Sequence, residues 1–247
     1  ASCLVGSEMC IRDSAEITDL IGSYTTNFAS SSAGRAKNVI TGVSKVDGTI
    51  LYPGEEFDLA KTVSPFTQEN GYELAGAYQN GTVVESFGGG ICQVATTLYN
   101  AVIRAELEIT MRFNHSMLVH YVEPSMDAAI AGNYKDLKFK NNLDAPVYIE
   151  GYCSGGIIYF NVYGKETRPS NREISFESET VSKTDPKVQF TMDASLTAGS
   201  VSVTQSGQSG CIAQLWKIVK VDGKQQSRDL FNKSNYQATP KLITIGT

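Results

Sequence analysis

The sequence predicts an α+β N-terminal domain, in which a glycine-rich turn leads into a cysteine-bearing helix, followed by a small all-β C-terminal module. Three observations carry this reading. Apolar residues at helical spacing fall early in the chain, β-like runs dominate after the cysteine helix, and beyond residue 171 no helical period remains. At 247 residues the chain is long enough to bury a full core in two domains.

The opening thirteen residues, ASCLVGSEMCIRD (Ala1–Asp13), contain no basic stretch followed by an apolar one, so they are not a signal peptide. Their wording resembles translated sequencing-adapter read-through, and they are expected to be non-native. An export signal or anchor is then expected upstream, and membrane association only through it. Ser14–Phe28 predicts a helix with Ile17, Leu20, Ile21 and Tyr24 on one stripe and Ser14 or Asp13 as cap. Arg35–Val46 repeats the pattern and stops at the Asp47-Gly48 turn. Thr49–Phe57 reads as a strand entering a loop at Pro53-Gly54, and Tyr78–Glu85 as a hairpin about Asn80-Gly81. The Cys92 helix, with Val94, Leu98 and Val102 on one face, runs to about Ala105. Strands at Glu108–Arg112, Ser116–Val122, Leu137–Lys140, Pro146–Tyr152 and Ile157–Tyr163 complete a first domain over residues 14–164. Residues 165–171, charged and proline-containing, read as a linker. Residues 172–247 give strands at Glu173–Val181, Val188–Met192, Ser200–Thr204, Ile212–Val221 and Leu242–Ile245.

Composition excludes several classes. A net charge of −5 with scattered basic residues offers no nucleic-acid-binding stripe. No apolar run is long enough to span a bilayer. With Cys3 and Cys10 set aside, Cys92, Cys153 and Cys211 remain, none at CxxC spacing, so zinc and thioredoxin chemistry have no support. The alternatives for them are three free thiols or a Cys153–Cys211 disulfide. Nucleotide binding is not expected, because the glycine turn lacks both a P-loop lysine and a GxGxxG pattern, and no cofactor is expected. No metal is expected either, because His115 and His120 are five residues apart and face opposite sides of an extended run.

The most informative stretch is Ser86–Asn100, SFGGGICQVATTLYN. Three glycines free the backbone, and Cys92 then opens a helix. A thiol there faces unpaired N–H groups and the positive end of the helix dipole, which favour thiolate. The bland alternative is a close-packed turn with Cys92 as a small buried hydrophobe. A reactive cysteine needs a base, and His115 and His120 are the only histidines. A Cys92–His115 pair, with Asp127 or Asp136 orienting the imidazole and Asn114 a more distant choice, would suit acyl transfer. Against this stand strand-start hydrogen bonding for His115 and turn or cap roles for the two aspartates. Gly88, Gly89 and Gly90 could hold a carboxylate on backbone N–H groups, and Gln93 could offer an amide to an oxyanion or cap a carbonyl. Glu55, Glu56, Asp58 and Glu69 read as solvated acids rather than a glycosidase pair. In the tail, Trp216, Phe231 and Tyr236 either stack on sugars or fill a small core.

Several segments resemble the VanW-like family of bacterial envelope proteins. They are Tyr52-Pro53-Gly54-Glu55-Glu56-Phe57, Glu69-Asn70-Gly71-Tyr72, Gly88–Asn100, Asn114-His115-Ser116, Tyr121-Val122, Asp127-Ala128-Ala129 and Asp136–Asn141. Ala95 and Ala129 stand where the family pattern usually has serine and threonine. The tail is similar to the five-glycine (G-five) domain, with Gly199, Gly207, Gly210, Gly223 and Gly246 in order. The resemblance implies an extracytoplasmic protein, wall- or membrane-associated, with peptidoglycan or wall glycan as partner. It adds Asn114, Ser116 and Tyr121 to the expected substrate contacts. It leaves three functions open: a cysteine-nucleophile hydrolase or transpeptidase-like enzyme, a wall-binding protein, or an envelope adaptor.

Overall fold

In the computed structural model, which describes residues 17–79, 82–132 and 134–247, the first element is a strand, β1 (Asp19–Asn27). The helix expected over Ser14–Phe28 is therefore corrected, and its first residues, like Ala1–Asp13, lie outside the described residues. The reason is tertiary. β1 pairs antiparallel with β9 (Ile157–Gly164) from Asp19 to Asn27, and a Cβ at Gly22 would stand 2.5 Å from the Ala101 carbonyl oxygen. Glycine, a poor helix former, lets the strand lie directly on the cysteine helix. Leu20, which the helical stripe would bury, is 53 % exposed.

After helix α1 (Ala33–Val46) come β2 (Thr49–Leu51), β3 (Glu56–Asp58) and the short helix α2 (Leu59–Val63). Strands β4 (Leu74–Gln79) and β5 (Thr82–Phe87) form a hairpin whose Asn80-Gly81 tip lies outside the described residues. Helix α3 (Ile91–Arg104) follows the glycine turn and is buried over most of its surface, with Val94, Leu98 and Val102 fully enclosed. β6 (Glu108–Met111), β7 (Lys138–Lys140) and β8 (Val147–Ser154) complete two sheets with the earlier strands, ordered β1-β9-β8-β2 and β3-β7-β6. The expected strand at Ser116–Val122 is absent. Its backbone serves other elements: the Ser116 carbonyl accepts from the Gln237 N–H at 2.7 Å and the Leu118 carbonyl from Gln208 Nε2 at 3.0 Å.

The C-terminal part is all β. Strands β10 (Arg172–Thr184), β13 (Gly210–Val221) and β14 (Lys224–Tyr236) form one antiparallel sheet. Strands β11 (Val188–Asp193), β12 (Val201–Gln205) and β15 (Lys241–Gly246) form another, with β15 central. β14 had no strand signal, because its first seven residues, Lys224–Leu230, carry a single apolar side chain; pairing with β13 defines it. Cys153 and Cys211 are free thiols, not a disulfide. Among the described residues no helix is long and apolar enough to cross a membrane.

The two parts share a core and an ionic joint. Leu215 of β13 belongs to the same buried cluster as the α3 side chains. Just past α3, Glu106 turns the chain at φ 59° and its carboxylate takes Arg172 bidentately at 2.6 and 2.9 Å, together with Lys217. Burial pushes the Glu106 carboxyl up, but the Arg172 and Lys217 bonds outweigh it and hold the pKa at about 2. A depressed pKa means that this stabilisation is present above the ordinary value of 4.5 and is lost as pH falls toward about 2. Thermal melts should show Glu106→Gln less stable at neutral pH by on the order of 2 kcal/mol. The gap to wild type should close as the pH drops through that window.

Candidate functional site

Helix α3 is apolar on the face that meets the sheet, yet carries Cys92, Thr96 and Asn100 at i, i+4 and i+8, one stripe of a helix. The extended segment Met126–Ile130 lies along this stripe. Cys92 Sγ faces the Ile130 carbonyl at 3.4 Å and the Ile130 N–H at 3.5 Å. Thr96 Oγ1 donates to the Ala128 carbonyl at 3.1 Å and accepts from the Ala128 N–H at 3.0 Å. Asn100 Nδ2 donates to the Met126 carbonyl at 2.6 Å. Four helical residues advance about 6 Å and two extended residues about 6.6 Å, so the registers match. Alternate backbone groups are thereby satisfied, and the two intervening residues turn theirs the other way: the Asp127 carbonyl accepts from Arg112 Nε at 2.7 Å and the Ala129 N–H donates to the Phe113 carbonyl at 2.8 Å.

Asp127 is where the site converges. One carboxylate oxygen accepts from His115 Nδ1 at 2.6 Å and from the His115 backbone N–H at 2.7 Å. The other accepts from Arg112 Nη2 at 2.9 Å and from the Tyr236 hydroxyl. Its side chain is 1 % exposed. Burial pushes the Asp127 carboxyl up, but the bonds and charge of His115, with the charge of Arg112, hold it below the usual range. For His115, burial favours the neutral ring; bonds to Asp127 and to Cys92 outweigh it and raise the pKa to about 9. For Cys92, burial pushes the thiol up, whereas hydrogen bonding to His115 and its positive charge bring it below the ordinary value. With Nδ1 on Asp127, the ring offers Nε2 to the sulfur. Both shifts run in the direction of a thiolate–imidazolium pair, with the imidazole anchored on a carboxylate.

Cys92 is half-buried, and its neighbours Ile91, His115 and Ile130 line a cleft of about 470 Å³. Phe66, Phe87, Met117 and Tyr134 give it apolar walls, and Lys135 supplies a cation. Gly88 and Gly89 lie on this lining, and Gly88 adopts φ 79°. Gly90 instead packs on Arg35 and Val39. Ser116 lines the cleft; Asn114 binds the His115 and Asn235 carbonyls and fixes the loop. Tyr121 lies edge-on to His115 with ring centres 6.4 Å apart.

Two expected site residues lie elsewhere. Asp136 accepts from the Ala60 and Leu137 N–H groups at 2.9 and 2.7 Å and lies with Asp58 near Lys138, capping α2 rather than orienting His115. Gln93 is 1 % exposed; its side chain bonds Arg35, Thr26 and Asn27, and its N–H donates to the Gly90 carbonyl. It holds α3 against β1 and has no donor left for an oxyanion. His120 is exposed. Among the described residues no cluster of metal-ligating side chains occurs. Arg112, Thr96 and Tyr236 were not expected at the site. The i, i+4, i+8 polar stripe was the available signal for Thr96; nothing local marked the other two.

A glycine turn, a cysteine helix and a histidine–aspartate loop, with a β module packed against them, define a two-part protein. The chain belongs to the VanW-like protein family, whose model matches residues 34–163, and residues 176–247 match the G5 domain. It is 35 % identical over 149 residues to YoaR, an uncharacterised protein of Bacillus subtilis, covering 60 % of this chain and 49 % of that one. It is 26 % identical over 118 residues to the vancomycin B-type resistance protein VanW of Enterococcus faecalis, covering 45 % and 42 %. The chain thus spans about half the length of the curated relatives it matches. A solved G5 domain of an IgA1 protease is 26 % identical, covering 31 % of this chain and 92 % of that one, with a TM-score of 0.23.

Thr96→Val keeps the shape of the side chain and removes both bonds to Ala128. Urea denaturation should show a loss of about 1–3 kcal/mol, because the Ala128 N–H and carbonyl are left buried without that partner.

Proposed function

We propose that this protein faces the cell wall from outside the cytoplasmic membrane and that its VanW-like part is a cysteine-dependent acyl-transfer or hydrolytic centre acting on peptide amides of peptidoglycan. The observation that carries the proposal is the Cys92–His115–Asp127 constellation, with His115 Nδ1 held 2.6 Å from the carboxylate. The occurrence of VanW-like and G5 segments in cell-envelope proteins supports the location and the substrate class.

The Cys92 thiolate attacks the scissile carbonyl carbon, forming a C–S bond. The C–N bond then breaks as His115 Nε2 gives its proton to the departing amine. The neutral imidazole next takes a proton from water or an acceptor amine as that nucleophile attacks the thioester. The C–S bond breaks and the thiolate–imidazolium pair is restored. Asp127 keeps Nδ1 protonated and the ring in one orientation throughout. The apolar cleft suits a peptide stem, and Lys135, with the Gly88 and Gly89 backbone, suits its carboxylate.

A non-catalytic reading competes, because a G5 segment suits glycan binding without any nucleophile. It predicts that Cys92→Ala retains full binding to sacculi and that wild type releases no stem fragments from them.

Iodoacetamide should alkylate Cys92 rapidly between pH 6 and 8, with the rate falling as pH drops through the lowered thiol pKa. His115→Ala should slow alkylation at pH 7 by about tenfold or more, since one unit of pKa is worth tenfold in thiolate. A Cys92 that reacts only after unfolding would overturn the enzyme reading.

A further inference from the structure

Strand β14 and the residue after it lay a row of contacts on the site. Asn232 Nδ2 donates to the Tyr99 hydroxyl at 2.7 Å and the Ser125 carbonyl at 3.2 Å. Ser234 Oγ accepts from Arg112 Nη1 at 2.9 Å, and the Asn235 carbonyl accepts from Asn114 at 2.9 Å. The Gln237 N–H donates to the Ser116 carbonyl at 2.7 Å. The Tyr236 hydroxyl, on a side chain whose residue is 2 % exposed, accepts from the Ser125 N–H at 2.7 Å and donates to Asp127. These bonds land on Tyr99, Arg112, Asn114, Ser116, Ser125 and Asp127, the residues that frame His115. A glycan-binding unit merely strung behind a catalytic domain would have no need of them.

We infer that the C-terminal β module is a working part of the cysteine site: Tyr236 is a positioning residue that orients the Asp127 carboxylate toward His115, and docking of the module sets the reactivity of Cys92. The inference rests on the proposed cysteine centre, but the geometry it depends on is separable from turnover. Asp127 is buried, so each donor it loses must be replaced or the carboxylate rotates. Without the phenol, its oxygen near Arg112 loses one of two donors and the Ser125 N–H loses its acceptor. The bond to His115 Nδ1 is then no longer held in line. The ring loses part of what raises its pKa, and the sulfur loses part of the positive charge that favours thiolate.

The test uses the full chain. In a Cys92→Ala background, where the sulfur's share of the shift is gone, NMR titration of His115, with exposed His120 as a second ring signal, should give a pKa below the intact site's value of about 9, held up by Asp127, that falls by about one further unit when Tyr236→Phe is added. In the cysteine-containing protein, Tyr236→Phe should slow iodoacetamide alkylation at pH 6.5 about tenfold and move the rate profile to higher pH. Ser234→Ala, which frees only one arm of Arg112, should shift both readouts in the same direction by less. Unchanged His115 titration and alkylation profiles in a folded Tyr236→Phe protein would overturn the inference. If Tyr236→Phe fails to fold, Ser234→Ala alone decides it, and unchanged readouts there overturn it equally. A titration shift without low-pH alkylation in wild type would uphold the positioning role and sink the enzyme reading instead.

Discussion

The structure depends on one buried carboxylate. Asp127 sits 1 % exposed and accepts four hydrogen bonds, from Arg112, from Tyr236 and twice from His115. An unpaired carboxylate there would cost several kcal/mol, so the fold around it must bring a cation, an imidazole and a phenol to the same few ångströms. That demand explains why the segment after β6 is irregular. Its backbone is spent on aiming Arg112, Asn114 and His115 inward and on accepting the β module from behind. A regular strand carried on from β6 through Arg112–His115 would have turned Asn114 and His115 to opposite faces and separated them.

The same constraint couples the two parts of the chain. The ionic joint at Glu106 and the hydrophobic overlap at Leu215 hold the β module at one end of α3, while Tyr236 and Asn232 hold it at Asp127 and Tyr99. Arg104 reinforces the middle, lying 4.4 Å from the Tyr24 ring of the first part and 5.6 Å from the Phe176 ring of the second. Helix α3 is therefore clamped between β1, the Met126–Ile130 segment and the module. This is why twelve of its fourteen residues are buried and why its polar residues need built-in partners.

Much of this was legible in the sequence, because local patterns report local structure. The α1 period, the Pro53-Gly54 turn and the strands from Lys138 to Gly164 follow from apolar spacing and turn residues alone. The errors share a cause. The Ser14–Phe28 stripe at helical spacing gave way to strand pairing with β9, and the polar start of β14 concealed a strand defined by its partner. At the site, Cys92, His115 and Asp127 stood out by residue type. Between Asp127 and Asp136 the sequence offered no choice, since the difference lies in which backbone amides and cations each meets in three dimensions. Tyr236 reaches Asp127 across 109 residues, a separation at which no spacing rule operates.

The origin of the cysteine's acidity also changes once magnitudes are compared. A helix N-terminus contributes about 0.3–1 kcal/mol to a nearby anion, less than one pKa unit. Burial works against the thiolate and by itself would lift the pKa, as it does for Cys153, which is pushed up to about 11 with no counter-charge to offset it. Cys92 nonetheless ends below its ordinary value, and the cause that outweighs burial is the hydrogen-bonded, positively charged His115. That imidazolium survives burial because Asp127 holds it. The glycine turn and helix therefore place the sulfur, while the positive charge that lowers its pKa is held from the far side by Asp127 and the residues of both parts that cage it.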